Sequence, residues 1–298
     1  MPRSLTRRDL LLGAASAAAL LTAGCAPAAR DAAAPPPPRP VVAPNAIPAP
    51  PPVPTGLDVL RTALAAATTA PCPVVFAGSS TTAGAAASRP ALCYVDRTVA
   101  ALQRAHPSGT GSEAAVLASP EARWAPTGPA TGVHGYNAGR SGSTAASYLP
   151  EAVLGRLAAV APVAVVHMVG SNDFHAGTAP ETYRDRLESR LAALRAALPG
   201  PCVHVLVHSY ERMDPARAPR ASWRDFGTVL TGVAARAPAD VVAVDLSDEY
   251  RALGVPGADP GRLLHRDRVH QTDAGHAVMA HLVARALLAD GPGRPASA

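Results

Sequence analysis

Residues 74–84 read Val74-Val75-Phe76-Ala77-Gly78-Ser79-Ser80-Thr81-Thr82-Ala83-Gly84, an apolar run that breaks at a glycine into four consecutive hydroxyl side chains. A short, continuous, β-branched run predicts a strand buried on both faces, and the glycine predicts a turn at its carboxyl end. Outward from this stretch the same pattern recurs at residues 163–169, 203–207 and 241–246, with a weaker strand around 133–137. Between these runs the apolar period changes to a helical one. Leu92, Val95, Val99 and Leu102 share one face, as do Tyr183, Leu187, Leu191 and Leu194. Phe226, Val229, Leu230 and Val233 follow, and then Val278, Leu282 and Val283. Alternating strands and helices predict an α/β fold of three layers, a mostly parallel five-stranded sheet covered on both faces by helices. Ligands of such sheets sit at the carboxyl ends of the strands.

Four loops at those ends carry reactive side chains. Gly78, Ser79, Ser80, Thr81 and Thr82 follow the first strand, and Asn137, Gly139, Arg140, Ser141, Gly142, Ser143 and Thr144 the second. Gly170, Ser171, Asn172 and Asp173 follow the third, and Asp267 and His270 precede the last helix. Singly, each has a structural explanation as a helix cap or turn. Jointly they supply a hydroxyl, a base, a carboxylate and amide donors at one edge of one sheet. Acyl transfer to water requires that set, because a hydroxyl is weak until a base takes its proton and the oxyanion needs preorganised donors. The spacing from Asp267 to His270 lets one short loop provide both base and orienter, while Gly142 and Asn172 can offer a backbone N–H and a side-chain NH₂.

The order Gly-x-Ser-x-Thr, Asn-x-Gly-x-Ser-Gly-x-Thr, Gly-x-Asn-Asp and Asp-x-x-His resembles the SGNH hydrolases, also called GDSL-type esterases and lipases, over residues 72–288. The resemblance implies a flavodoxin-like sandwich without a metal or other cofactor. It implies that Ser80 is the nucleophile, that Asp267 and His270 complete a triad, and that Gly142 and Asn172 join the backbone N–H of Ser80 in an oxyanion hole. Ser79 departs from the pattern, standing where the family usually has Asp, and is expected to act as a turn or cap hydroxyl. An α/β-hydrolase elbow fits less well, since Thr82 occupies the place of its second glycine. A zinc site built from His265, His270 and His276 fits no common ligand spacing.

Trp124 lies in a Gly-, Pro- and Ser-rich loop that could wall a substrate pocket, and Arg140, Phe174, His175 and Tyr210 are further pocket candidates. All 27 basic residues are arginine, which excludes Schiff-base catalysis, a Ser-Lys dyad and a lysine-bearing phosphate loop. Residues 1–24 resemble an export signal of twin-arginine type, with Arg7-Arg8 ahead of an apolar run and a lipobox ending at Cys25, the expected lipidation site. A plain secretory signal cut near Ala26-Pro27-Ala28 is the alternative. Residues 25–56 form a Pro/Ala-rich disordered linker that includes Pro35 to Pro38, residues 57–290 the catalytic domain and 291–298 a disordered tail. The chain's +5 falls to +3 once Arg3, Arg7, Arg8 and Asp9 are removed with the signal, too little to indicate nucleic acid. Of the remaining cysteines, Cys72, Cys93 and Cys202, one disulfide and one free thiol is the simplest expectation in an oxidising compartment.

The expected activity is hydrolysis of a carboxylic ester of a sugar, a lipid or a small alcohol on the outer face of the cell membrane, or fully secreted. An acyltransferase with the same triad and a binding-only surface lipoprotein are the rivals.

Overall fold

The computed structural model describes residues 55–107, 131–212, 221–253 and 263–289. Its centre is a sheet of β1 (Pro71–Gly78), β2 (Gly132–Gly139), β3 (Ala164–Met168), β4 (Val203–His208) and β5 (Val241–Asp245). All pairings are parallel and the spatial order is β2-β1-β3-β4-β5. This is the flavodoxin-like order, in which the connections on the two sides of β1 leave in opposite directions and open a crevice at its carboxyl end.

The strand pattern explains the layers. Val74 and Phe76 enter one apolar cluster, with α1 (Asp58–Ala65), α2 (Tyr94–Ala105) and α8 (Asp273–Leu288). Val75 and Ala77 enter the other, with α3 (Glu151–Val160), α5 (Pro180–Ala197) and α6 (Trp223–Arg236). Successive side chains of a strand point to opposite faces, so a strand covered on both sides must be apolar throughout. Among the described residues, the short helix α4 (Ser171–His175) leaves the end of β3, and α7 (Ser247–Leu253) follows β5 and buries Tyr250.

Residues 79–86 form a bend and turns after Gly78, α2 begins only at Tyr94, and Gly84 (φ 87°) and Ala86 (φ 64°) take the backbone out of helical geometry. Two expectations are corrected here. The cysteines do not pair. Cys72 and Cys202 do lie at the amino end of the sheet, but their side chains enter the clusters on opposite faces with β3 between their strands. Cys72, Cys93 and Cys202 are all free and buried. Phe174 belongs to the core rather than to a pocket, with its ring edge-on to Trp223 and Phe226 at 5.4 and 5.6 Å. Trp124, Cys25, the expected signal, nearly all of the linker and the tail lie outside the described residues.

Candidate active site

The loop after β1 is held from below by backbone. Gly139, at the end of β2, has no room for a side chain, because a Cβ there would stand 2.2 Å from the Ala83 nitrogen. The neighbouring Asn137 makes the contact specific: its Nδ2 donates to the Thr82 carbonyl at 2.7 Å and its Oδ1 accepts from the Gly139 N–H at 2.9 Å. The Arg140 N–H and the Ser143 hydroxyl both donate to the Gly78 carbonyl, at 2.9 and 3.2 Å. The asparagine and glycine of the second block thus shape the turn that presents Ser80.

Ser79 is buried and serves that turn through its backbone. Its N–H donates to Met168 and its carbonyl accepts from Ala83. Among the described residues its hydroxyl makes no hydrogen bond, so the expected cap hydroxyl is replaced by main-chain bonds.

Ser80 is half-buried, and its Oγ lies 2.9 Å from Nε2 of His270. Nδ1 of His270 is 2.8 Å from Oδ2 of Asp267. The other carboxylate oxygen of Asp267 accepts the N–H groups of Val269 and His270 at 2.9 and 3.0 Å. One carboxylate therefore both caps its own turn and orients the imidazole three residues on, which is the physical content of the Asp-x-x-His spacing. Partial desolvation pushes the Asp267 carboxyl up, but the hydrogen bonds from His270 and Val269 and the His270 charge outweigh it and hold the group far below the usual carboxylate range. The loop is closed by an antiparallel bridge between Leu264 and Gln271 and runs into α8, whose N-cap Thr272 accepts from the Gly275 N–H at 3.2 Å. His265 comes within 3.3 Å of the same Asp267 oxygen. His276 is buried and stacked on Tyr94, accepting the Tyr94 N–H on Nδ1 and facing the Ala85 carbonyl with Nε2. Of the three histidines considered for zinc, His265 and His270 share Oδ2 of Asp267, while His276 faces Tyr94 and Ala85.

The loops after β2 and β3 carry donors with spare capacity. Gly142 has φ 74°, a value an L residue adopts with strain, and it is exposed. Among the described residues neither its N–H nor that of Ser80 has an acceptor. Asn172, in the first turn of α4, donates one Nδ2 hydrogen to the Ser143 carbonyl at 2.9 Å and accepts from Arg212 on Oδ1 at 3.3 Å, leaving its second amide hydrogen for another acceptor. Asp173, fully buried, accepts the Ala145 N–H at 2.8 Å and faces Arg186 at 3.3 Å. Asn172 and Asp173 together tie the Gly142 loop to the end of β3. Asn137 and Asp173 are the residues whose roles the sequence reading missed, and only their positions inside the asparagine-bearing blocks could have pointed to them.

The pocket candidates separate. Arg140 donates to the Ser147 carbonyl at 2.8 Å, His175 is half-buried in α4, and Tyr210, largely buried, lines a small cavity with Ser79, Thr81, Met168, Val169, Ser171 and Ser209.

A flavodoxin-like sheet thus carries a hydroxyl, an imidazole and a carboxylate linked by hydrogen bonds at its carboxyl edge. The chain belongs to the GDSL-like lipase/acylhydrolase family, whose model matches residues 76–278. No curated protein matches it in sequence. Among solved structures it is similar to a two-domain esterase active on acetylated mannans, with a TM-score of 0.56 and 19% identity over 81% of this chain. The chain spans 57% of the length of that esterase. It is also similar to an acetylxylan esterase from Geobacillus stearothermophilus, with a TM-score of 0.51 and 21% identity, covering 76% of this chain and 100% of the other. An α/β hydrolase from the metagenome of Lake Arreo, Spain, gives a TM-score of 0.51 at 22% identity over 74% of this chain and 97% of the other.

Proposed function

We propose that the chain is a serine esterase that removes acetyl groups from carbohydrates through an acyl-enzyme. The observation that carries this reading is the continuous hydrogen-bonded chain from Ser80 through His270 to Asp267. Ser80 Oγ attacks the ester carbonyl as His270 Nε2 takes its proton, and Asp267 holds the imidazole and stabilises its charge. The oxyanion is bound by the backbone N–H groups of Ser80 and Gly142 and by the spare Asn172 amide hydrogen. His270 then protonates the leaving sugar oxygen, and water, deprotonated by the same imidazole, releases acetate and restores Ser80.

The substrate class is supported by the openness of the site and by the similar esterases. Gly142 is exposed with nothing within 4 Å of where its Cβ would be, so a bulky alcohol portion meets no wall there. Two of the similar structures are esterases of acetylated mannan and of acetylxylan. The test is a panel of chromogenic esters of increasing acyl length beside acetylated mannan and xylan oligosaccharides. Acetyl esters should be the best substrates and acetate should be released from the oligosaccharides. Preference for long acyl chains would overturn the reading. Ser80→Ala should abolish both turnover and labelling by a fluorophosphonate.

We place the enzyme outside the cell membrane, held by a lipid on Cys25 at the end of the Pro/Ala-rich linker. The reading rests on the Arg7-Arg8 pair and on the small residues that precede Cys25.

A further inference from the structure

We propose that Tyr210 is a positioning residue that sets the spacing between Ser80 and His270, resting on the reading of those two residues as nucleophile and base. They stand 190 residues apart in sequence, on two loops that share no regular structure, and a single 2.9 Å side-chain hydrogen bond joins them. Tyr210 follows β4 and lies beneath both loops. Its Oη is 2.6 Å from the carbonyl oxygen of Val269, the residue before His270. The same atom is 3.1 Å from Oγ1 of Thr81, the residue after Ser80. A carbonyl only accepts, so the phenol donates to Val269 and the Thr81 hydroxyl donates to the phenol oxygen. A second hydrogen-bonded chain, from Thr81 through Tyr210 to Val269, thus runs beside the reacting pair, displaced by one residue on each loop.

The brace is stiff. The Tyr210 ring is buried and stacks on Tyr250 at 5.1 Å with 29° between planes, and burial pushes the phenol up to about 12, so its proton stays in place across any practical assay range. Removing the phenol oxygen keeps the packed ring and cuts both links beside the reacting pair, leaving the Ser88–Asp273 and Ala85–His276 bonds further along the two loops. Attack geometry is steep enough that a shift of about 1 Å costs about 10²-fold in rate. The loss falls on kcat, because the phenol's one hydrogen is spent on the Val269 carbonyl.

The test is steady-state kinetics on the full chain with a chromogenic acetyl ester, together with fluorophosphonate labelling rates and thermal melts, for Tyr210→Phe, Thr81→Val, the double variant and Ser80→Ala. Tyr210→Phe should lower kcat by about 10- to 100-fold and slow labelling in parallel, with KM within about twofold. Thr81→Val should lose part of the same factor, and the double variant no more than Tyr210→Phe alone, since both cut one brace. A lower melting temperature with wild-type kcat would reduce Tyr210 to a packing residue and overturn the proposal, as would fully additive losses. Were Tyr210→Phe not to fold, the nearly isosteric Thr81→Val reads the same division between kcat and KM. Ser80→Ala separates the two levels: if it still labels, the assignment of the nucleophile is wrong, whereas a silent Ser80→Ala beside a fully active Tyr210→Phe refutes the brace alone.

Discussion

Asn172 shows how much one side chain is asked to do. Its carboxamide is oriented from both ends, by Arg212 on the oxygen and by the Ser143 carbonyl on the nitrogen, so the remaining amide hydrogen is fixed before any substrate arrives. A preorganised donor helps most once charge has developed on the carbonyl oxygen. Asn172→Ala is therefore expected to lower kcat by about 10²-fold or more with little change in KM. Kinetics showing a change confined to KM would make Asn172 a substrate-binding residue. At this scale the side chains that meet at Ser80 were legible in sequence, because a hydroxyl, an imidazole and a carboxylate are chemically distinctive and stand in short loops between predicted elements. The supporting residues were not. Asn137 looks like any turn asparagine until the strands bring it against Thr82, and Tyr210 sits 129 residues from the Thr81 it meets.

Among the elements, β3 and β4 carry an unusual load of buried imidazole. His167 Nδ1 is 3.0 Å from the Tyr148 hydroxyl, and its Nε2 is 3.3 Å from Nδ1 of His204 on the neighbouring strand. Burial drives His204 down to about 4 and His167 well below the ordinary imidazole range, and it also lowers His208 and His276. These histidines stay neutral in the folded protein while the unfolded chain takes up protons below pH about 6.5, so their stabilisation is complete above that pH and is lost as pH falls toward the folded values. Each contributes a slope of about 1.4 kcal/mol per pH unit at most in that window. Asp96, raised by burial to about 6, and Asp173, raised in the same way, act in the opposite sense, but four imidazoles outnumber two carboxyls. Urea midpoints measured from pH 8 to 5 should be flat down to about 6.5 and then decline, less steeply in His204→Leu. A midpoint that rises through this window would contradict the assignment. The strands themselves were readable because residues buried on both faces must be continuously apolar. Helices α1 and α3 were not, since their alanines fit a buried or an exposed face equally well and blur the 3.6-residue period.

For the molecule as a whole, the separation of the cysteines predicts chemistry that composition alone would not. Burial pushes Cys72 and Cys202 up to about 12 and Cys93 to about 11, so the native thiols should resist a thiol reagent and react only on unfolding, and reductant should leave the melting temperature unchanged. A reductant-sensitive melt would reveal a disulfide. Location is the other whole-molecule property. Wild type should partition with membranes and Cys25→Ser should not, and recovery of wild type wholly in the soluble extracellular fraction would remove the lipid anchor from the reading. The sequence by itself determined the layered α/β architecture and the four reactive blocks, because strand burial and loop chemistry are written in local periodicity and residue type. Only the tertiary structure decided that Cys72 and Cys202 enter opposite faces, that Phe174 is core and that Tyr210 links the Thr81 and Val269 loops. Those outcomes depend on which strands become neighbours and which face each side chain takes, and both are fixed by contacts between residues far apart in the chain.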